Sequence, residues 1–208
     1  LIDLNLTYCR RLNDQALRHM TAFPKLEELV LYRTAITDDG LAPVAGLKNL
    51  KWLVLRDTGI GDAGLTHLEG LENLETLLLE FTNVTDAGLA RIGQLKNLRT
   101  LGLSHTRIGD AGLEHLAGLD KLEQLWLEST RITDKGLEHL ERLVGLKKLA
   151  IGRSGVTLEG VRRLQKRLPD CETSWERDPL IESLDETRGD LFLAILKLGG
   201  DLQPVDSD

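Results

Sequence analysis

Apolar positions along this chain fall on a repeating frame, L-x-x-L-x-L-x-x-T-x-I-T/G-D-x-G-L-x-x-L-x-x. Three copies over residues 47–118 are nearly identical: LKNLKWLVLRDTGIGDAGLTHLEG, LENLETLLLEFTNVTDAGLARIGQ and LKNLRTLGLSHTRIGDAGLEHLAG. Their opening leucines Leu47, Leu71 and Leu95, and the next at Leu119, are each 24 residues apart. A fixed period in this range predicts a solenoid, because each unit buries its apolar face only by stacking on its neighbours.

Within a unit, L-x-L predicts a short strand whose alternate residues point inward and outward. Strands are expected at 2–6, 28–31, 52–55, 76–79, 100–103, 124–127 and 148–151, stacked into one parallel sheet. The segment 171–175 reads as a final half-strand that closes it. The D-x-G-L-x-x-L stretch predicts a short helix on the opposite side, with the Thr and Asp before it capping its free amides and favouring its positive end. The column Cys9, Thr34, Thr58, Thr82, Thr106, Thr130, Ser154 places a small hydroxyl or thiol after each strand. It predicts an internal ladder that satisfies the backbone as it leaves the sheet.

The outer units depart from the frame. The first, residues 1–22, has one extra residue between Leu6 and Leu12. The second, 23–46, has Phe23 in place of the opening leucine and Pro43 in its second half. The sixth is expected to carry three added residues around Glu141-Arg142-Leu143, so that the seventh opens at Leu146. There Leu158 replaces the usual Asp and Val161 the usual Leu.

These residues resemble a leucine-rich repeat of the cysteine-containing type, close to the ribonuclease-inhibitor-like class, over roughly residues 1–170. Cys9 stands where that type has its cysteine, and Thr or Ser replaces it elsewhere. The resemblance implies a right-handed α/β solenoid, with a parallel sheet on the concave face and short helices on the convex face. It also implies a binding scaffold, a class that includes inhibitors and the substrate-recognition arms of ubiquitin ligases; nothing in this chain resembles an F-box.

The domain division expected is an array of about seven units over 1–175 and a C-terminal segment over 176–208. In that segment Pro179 opens one predicted helix, and a second runs over 190–198 to Gly199-Gly200. Terminal repeats need a cover, so the segment reads as a cap over the last unit. The alternative is that ILKLGG at 195–200, which is similar to the lead-in before some bacterial arrays of this type, leads into a further domain.

Charge narrows the partners. The formal net charge is -7, from 26 basic and 33 acidic residues, which argues against broad nucleic-acid binding, since that needs a basic stripe. No apolar run approaches the roughly 20 residues that span a bilayer, so no membrane contact is expected. Cys9 and Cys171 lie at opposite ends of the array, and two free thiols suggest either a reducing compartment, with the cytoplasm expected, or simply no disulfide framework. The chain opens inside a strand, so the natural N-terminus is expected upstream. The triplets Asn5-Leu6-Thr7 and Asn83-Val84-Thr85 fit the glycosylation pattern but read as coincidence, with Leu6 and Val84 on buried positions.

Aromatic residues are 4% of the chain, eight in all (Trp 3, Tyr 2, Phe 3). Five of them, Tyr8, Tyr32, Trp52, Phe81 and Trp126, fall in the four columns expected to face out of the inner sheet. Structural need does not explain this, because the inward positions are already Leu or Ile. Exposed aromatics beside Arg and Glu have the composition of interface hot spots; the competing account is that they pack on one another and shield the sheet. The candidate partner-binding set is therefore Tyr32, Trp52, Arg56, Leu78, Glu80, Phe81, His105, Trp126 and Glu128. The partner expected is another protein, bound by a monomeric scaffold without cofactor or metal; carbohydrate is the alternative, since Trp and Tyr beside carboxylates also suit sugars.

Catalysis is disfavoured. Glu80 and Glu128 lie two strands apart, about 10 Å, which approaches the spacing of an inverting glycosidase. An open sheet nevertheless excludes no water, and Ser104 and His105 are adjacent residues that alternate in direction. His19, His67, His115 and His139 form a column on the helical side, where a solvated face explains them better than a metal site. Arg188-Gly189-Asp190 precedes an apolar helix that Asp190 is suited to cap, so it carries no integrin reading.

Overall fold

The structure, a computed structural model, describes residues 1–175. The predicted C-terminal helices, the choice between cap and lead-in, and Arg188-Gly189-Asp190 lie outside the described residues.

Each L-x-L becomes a three-residue strand: β1 (Asp3–Asn5), β2 (Glu28–Val30), β3 (Trp52–Val54), β4 (Thr76–Leu78), β5 (Thr100–Gly102), β6 (Gln124–Trp126), β7 (Lys148–Ala150) and β8 (Glu172–Ser174). They form one parallel sheet in sequence order. The half-strand expected at the end of the array is β8, paired on β7 with Leu149 opposite Thr173. The central leucines Leu29, Leu53, Leu77, Leu101 and Leu125 pair in one row and are completely buried, as is the second row Leu31, Leu55, Leu79, Leu103 and Leu127. Behind them the chain descends through backbone bonds that span three residues, such as Leu119 N–H to Leu116 C=O and Leu122 N–H to Leu119 C=O. A three-residue turn brings every third side chain back to one face, which keeps Leu113, Leu116, Leu119 and Leu122 all inside.

The register corrects the expected insertion. Leu125 pairs with Leu149, 24 residues on, so nothing is added around Glu141-Arg142-Leu143. Leu143 is the opening leucine, and it bonds to Leu140 C=O as Leu119 bonds to Leu116 C=O. The extra residue of the first unit is present: Leu4 pairs with Leu29, an offset of 25, whereas Thr37 is bonded to Asp14 across 23 residues, the spacing found between later units.

On the other side run short helical segments: Asp14–Leu17, Asp62–Leu65, Asp86–Ile92, Asp110–Glu114, Asp134–Leu140 and Leu158–Arg167. In the second unit, Asp38–Gly46 is a 3-10 helix containing Pro43. The expectation that Thr caps its own helix holds at Thr85, Thr133 and Thr157. The Asp acts differently. Its carboxylate reaches the next unit, where Asp110 accepts from the Thr133 backbone N–H at 2.6 Å and from its hydroxyl at 2.7 Å. Asp14, Asp62 and Asp134 repeat the pair of bonds on Thr37, Thr85 and Thr157, while Asp38 and Asp86 take the amides of Gly61 and Gly109.

This ladder explains the glycine of D-x-G. A Cβ on Gly64, Gly88, Gly112 or Gly136 would stand 2.5–2.6 Å from the preceding unit's Asp carboxylate. Asp110→Ala removes two bonds to a charged acceptor and is expected to cost about 1–2 kcal/mol; chemical denaturation of the variant beside wild type measures it.

The hydroxyl ladder is as expected from the second unit on, whereas Cys9, the first member of the column, is exposed and not internal. Thr34, Thr58, Thr82, Thr106 and Thr130 are buried, and each donates to the carbonyl three residues back at 2.6–2.7 Å, as half-buried Ser154 does to Ile151. Asn49, Asn73 and Asn97 tie units together through carbonyls of the preceding one. Cys9 is exposed and Cys171 buried, and neither is in a disulfide.

Candidate functional site

After each of β1–β7 the chain turns through one residue of left-handed backbone: Tyr8, Arg33, Asp57, Phe81, His105, Ser129 and Arg153 all have φ between 53° and 62°. The N–H groups of the first six still bond to the next unit, as from His105 to Glu128 C=O at 2.8 Å, so the sheet ladder extends one step before the chain leaves it. Non-glycine residues in this region cost energy, and the sequence pattern gave no warning because none of the seven is glycine. Ser129→Gly should raise stability by about 0.5–1 kcal/mol, the relief of that strain less the entropy that glycine loses on folding. A higher denaturation midpoint at unchanged slope is the expected reading.

This turn directs Tyr8 and Phe81 onto the sheet's open rim, where they are about half exposed. Phe81 stacks on His105, with ring centroids 4.1 Å apart and planes 11° from parallel. Tyr8 packs against Tyr32 at 5.2 Å, with the Arg33 guanidinium near both rings and Arg56 near Tyr32. The expected aromatics thus form two groups, one over the first units and one at the middle. Trp52 stands on β3, 42% exposed.

The middle of the face is shaped by one row. Gly102, Trp126 and Ala150 are in register on β5, β6 and β7. A large indole between two small residues leaves a hollow on each side of it. One, of about 300 Å³, is lined by Arg56, Glu80, Phe81, Ser104, His105, Trp126 and Glu128. The other, about 260 Å³, lies toward Lys148, Glu172 and Ser174.

Two members of the expected set are buried. Leu78 is 8% and Glu80 5% exposed. Glu80 folds over Gly102, where a Cβ would meet its carboxylate carbon at 2.6 Å. The missing side chain on Gly102 is what admits it. Burial pushes the Glu80 carboxyl above the ordinary carboxylate range, against the pull of its own backbone amide and of Arg56; nearby Glu128 pushes it further up. Arg56 Nε lies 3.3 Å from Glu80 Oε2, yet neither atom has an aligned hydrogen bond.

Ser104 Oγ accepts from the Glu128 N–H at 3.1 Å and approaches its carboxylate at 3.4 Å, while the His105 ring is stacked on Phe81. The two residues face different partners, as their alternation required. Of the helical-side histidines, His19 and His115 are exposed and His67 and His139 half-buried. Among the described residues no three His, Cys, Asp or Glu side chains converge on a metal position, and no helix is long and apolar enough to cross a membrane.

Comparison with known proteins agrees with the architecture. The family model described as Leucine Rich repeat matches residues 94–117. Comparison with curated proteins gives no match. An internalin (inlF) from Listeria monocytogenes superposes with TM-score 0.71 at 23% identity, over 84% of this chain and 47% of that one. A leucine-rich-repeat protein of Leptospira interrogans gives TM-score 0.61 at 26% identity, over 74% of this chain and 38% of that one. The plant peptide hormone receptor RGFR1, in complex with RGF2, gives 0.55 at 14%, over 86% and 32%. The chain therefore spans less than half the length of these proteins. Eight parallel strands backed by short helices, one leucine-rich repeat matched in sequence over residues 94–117 and most of the array matched in structure show that the chain folds as an α/β leucine-rich-repeat solenoid.

Proposed function

We propose that the protein is a non-catalytic scaffold that binds another protein through the concave, sheet-bearing face, and that its repeats belong to the cysteine-containing, ribonuclease-inhibitor-like class. The observation that carries the first reading is the relief of the open sheet: Trp126 stands as a ridge between two hollows, with Trp52 and Phe81 exposed on the same face. Large, rigid aromatics beside receptive hollows are the anatomy of an interface centre. The fold shared with the internalin and with a receptor complexed to RGF2 supports a scaffold role.

The test compares affinity capture from the native source by the wild-type chain, by Trp52→Ala and Trp126→Ala, and by His115→Ala and His139→Ala. A specific partner kept by the histidine variants and lost by the tryptophan variants supports the reading. The reverse pattern places the binding face on the helical side.

A further inference from the structure

We propose that the hollow beside Trp126 receives an arginine side chain of the protein partner, its guanidinium held by Glu80 and Glu128 against the indole. The inference rests on the sheet face being the binding face, and adds the chemistry of what docks there.

The hollow is built, not merely open. Its wall includes the Glu80 carboxylate, laid over Gly102, with a side chain only 6% exposed. One oxygen of that carboxylate has no aligned donor. Arg56 neutralises it in part, but Arg56 is 41% exposed and also lies 5.7 Å from the Tyr32 ring, so it is shared between two groups. Two carboxylates and one guanidinium line the hollow, so its carboxylates outnumber its guanidinium groups. Carboxylates only accept hydrogen bonds and have about four lone-pair sites each; among the described residues the side-chain hydrogen bond that reaches the Glu128 carboxylate comes from the Ser104 hydroxyl, at 3.4 Å.

The complement is a cation with several donors and a flat apolar face. Guanidinium meets this better than ammonium, because its planar fork bonds to carboxylates and stacks on aromatic rings. Some 300 Å³ is room for one such side chain. A sugar would also stack on Trp126, yet it brings no charge to the desolvated carboxylate.

The test is an NMR titration of the full 208-residue chain, read at the indole N–H signals of Trp52, Trp126 and Trp175. The probes are N-acetyl-arginine methylamide, its neutral citrulline counterpart, and methyl β-glucopyranoside. The arginine probe should shift Trp126 saturably, with citrulline at least tenfold weaker. Glu80→Gln keeps the shape and removes the charge; it should weaken the arginine response at least tenfold and melt no lower than wild type at neutral pH. Gly102→Ala is the second variant. Its methyl would displace the Glu80 carboxylate, the end of a flexible side chain, and should weaken binding by moving that carboxylate out of place. Equal response to citrulline, full arginine affinity in Glu80→Gln, or a shift by the glucoside with none by arginine would overturn the proposal. Loss of partner capture in the tryptophan variants without any arginine response sinks the hollow alone. An arginine response with capture untouched by those variants sinks the binding face itself.

Discussion

Leu101→Ala is expected to destabilise the protein by about 2–5 kcal/mol. Leu101 is completely buried at the centre of β5, with Leu77 and Leu125 directly above and below it in the row. The neighbours cannot collapse far into the space, because strand spacing is set by the backbone ladder at about 4.8 Å. The cavity therefore persists, and its cost adds to the lost transfer energy. Each unit of a solenoid is stabilised by its two neighbours, so a defect in the middle weakens interfaces on both sides. At roughly 2–4 °C per kcal/mol for a chain of this size, the melting point should fall by about 4–20 °C. The same change at half-buried Leu4 on the terminal strand should cost less than half as much. Circular dichroism melts of both variants measure the difference; a Leu101 variant within about 1 kcal/mol of wild type would refute the inward row.

Much of this architecture was legible because each repeated apolar position has one physical job. Strand leucines, the hydroxyl column and the closing half-strand all follow from needs met within a unit or against its neighbour's backbone. The misplaced insertion has a definite cause. Leu137, Leu140, Leu143, Leu146 and Leu149 recur every third residue, so a shift by three superposes leucine on leucine. Only the pairing of Leu149 with Leu125 decides, and the spacing from Asp134 to Leu158 already pointed the same way.

What stayed hidden depended on contacts between units. Asp was assigned to its own helix because the amide it holds lies 23 residues on. The left-handed column was invisible because residues as different as Phe81, Asp57 and Ser129 occupy it. Glu80 looked exposed in a strict alternation; the absence of a side chain on Gly102, one strand away, lets it fold inward. The frame was thus readable from single columns, whereas the relief of the candidate face arises from departures between adjacent units.

Trp52→Ala and Trp126→Ala are expected to weaken partner binding at least tenfold while leaving the fold intact. The two residues lie on β3 and β6, three strand spacings apart, or about 14 Å, which fits two anchor points within one interface. Trp52 is already 42% exposed, and Trp126 stands between Gly102 and Ala150 with open hollows on either side. Truncating either indole thus removes surface relief and leaves the leucine rows beneath untouched. A stacked array holds both rings in place before any partner arrives, so little ordering entropy opposes docking. Central tryptophans typically cost about 2 kcal/mol or more on truncation, close to thirtyfold in affinity. His67→Ala, His115→Ala and His139→Ala change only the helical side and should leave affinity within about twofold. Titration of each purified variant with the captured partner, alongside its melting curve, separates lost contact from lost fold; tryptophan variants that bind as tightly as wild type would move the interface off the sheet.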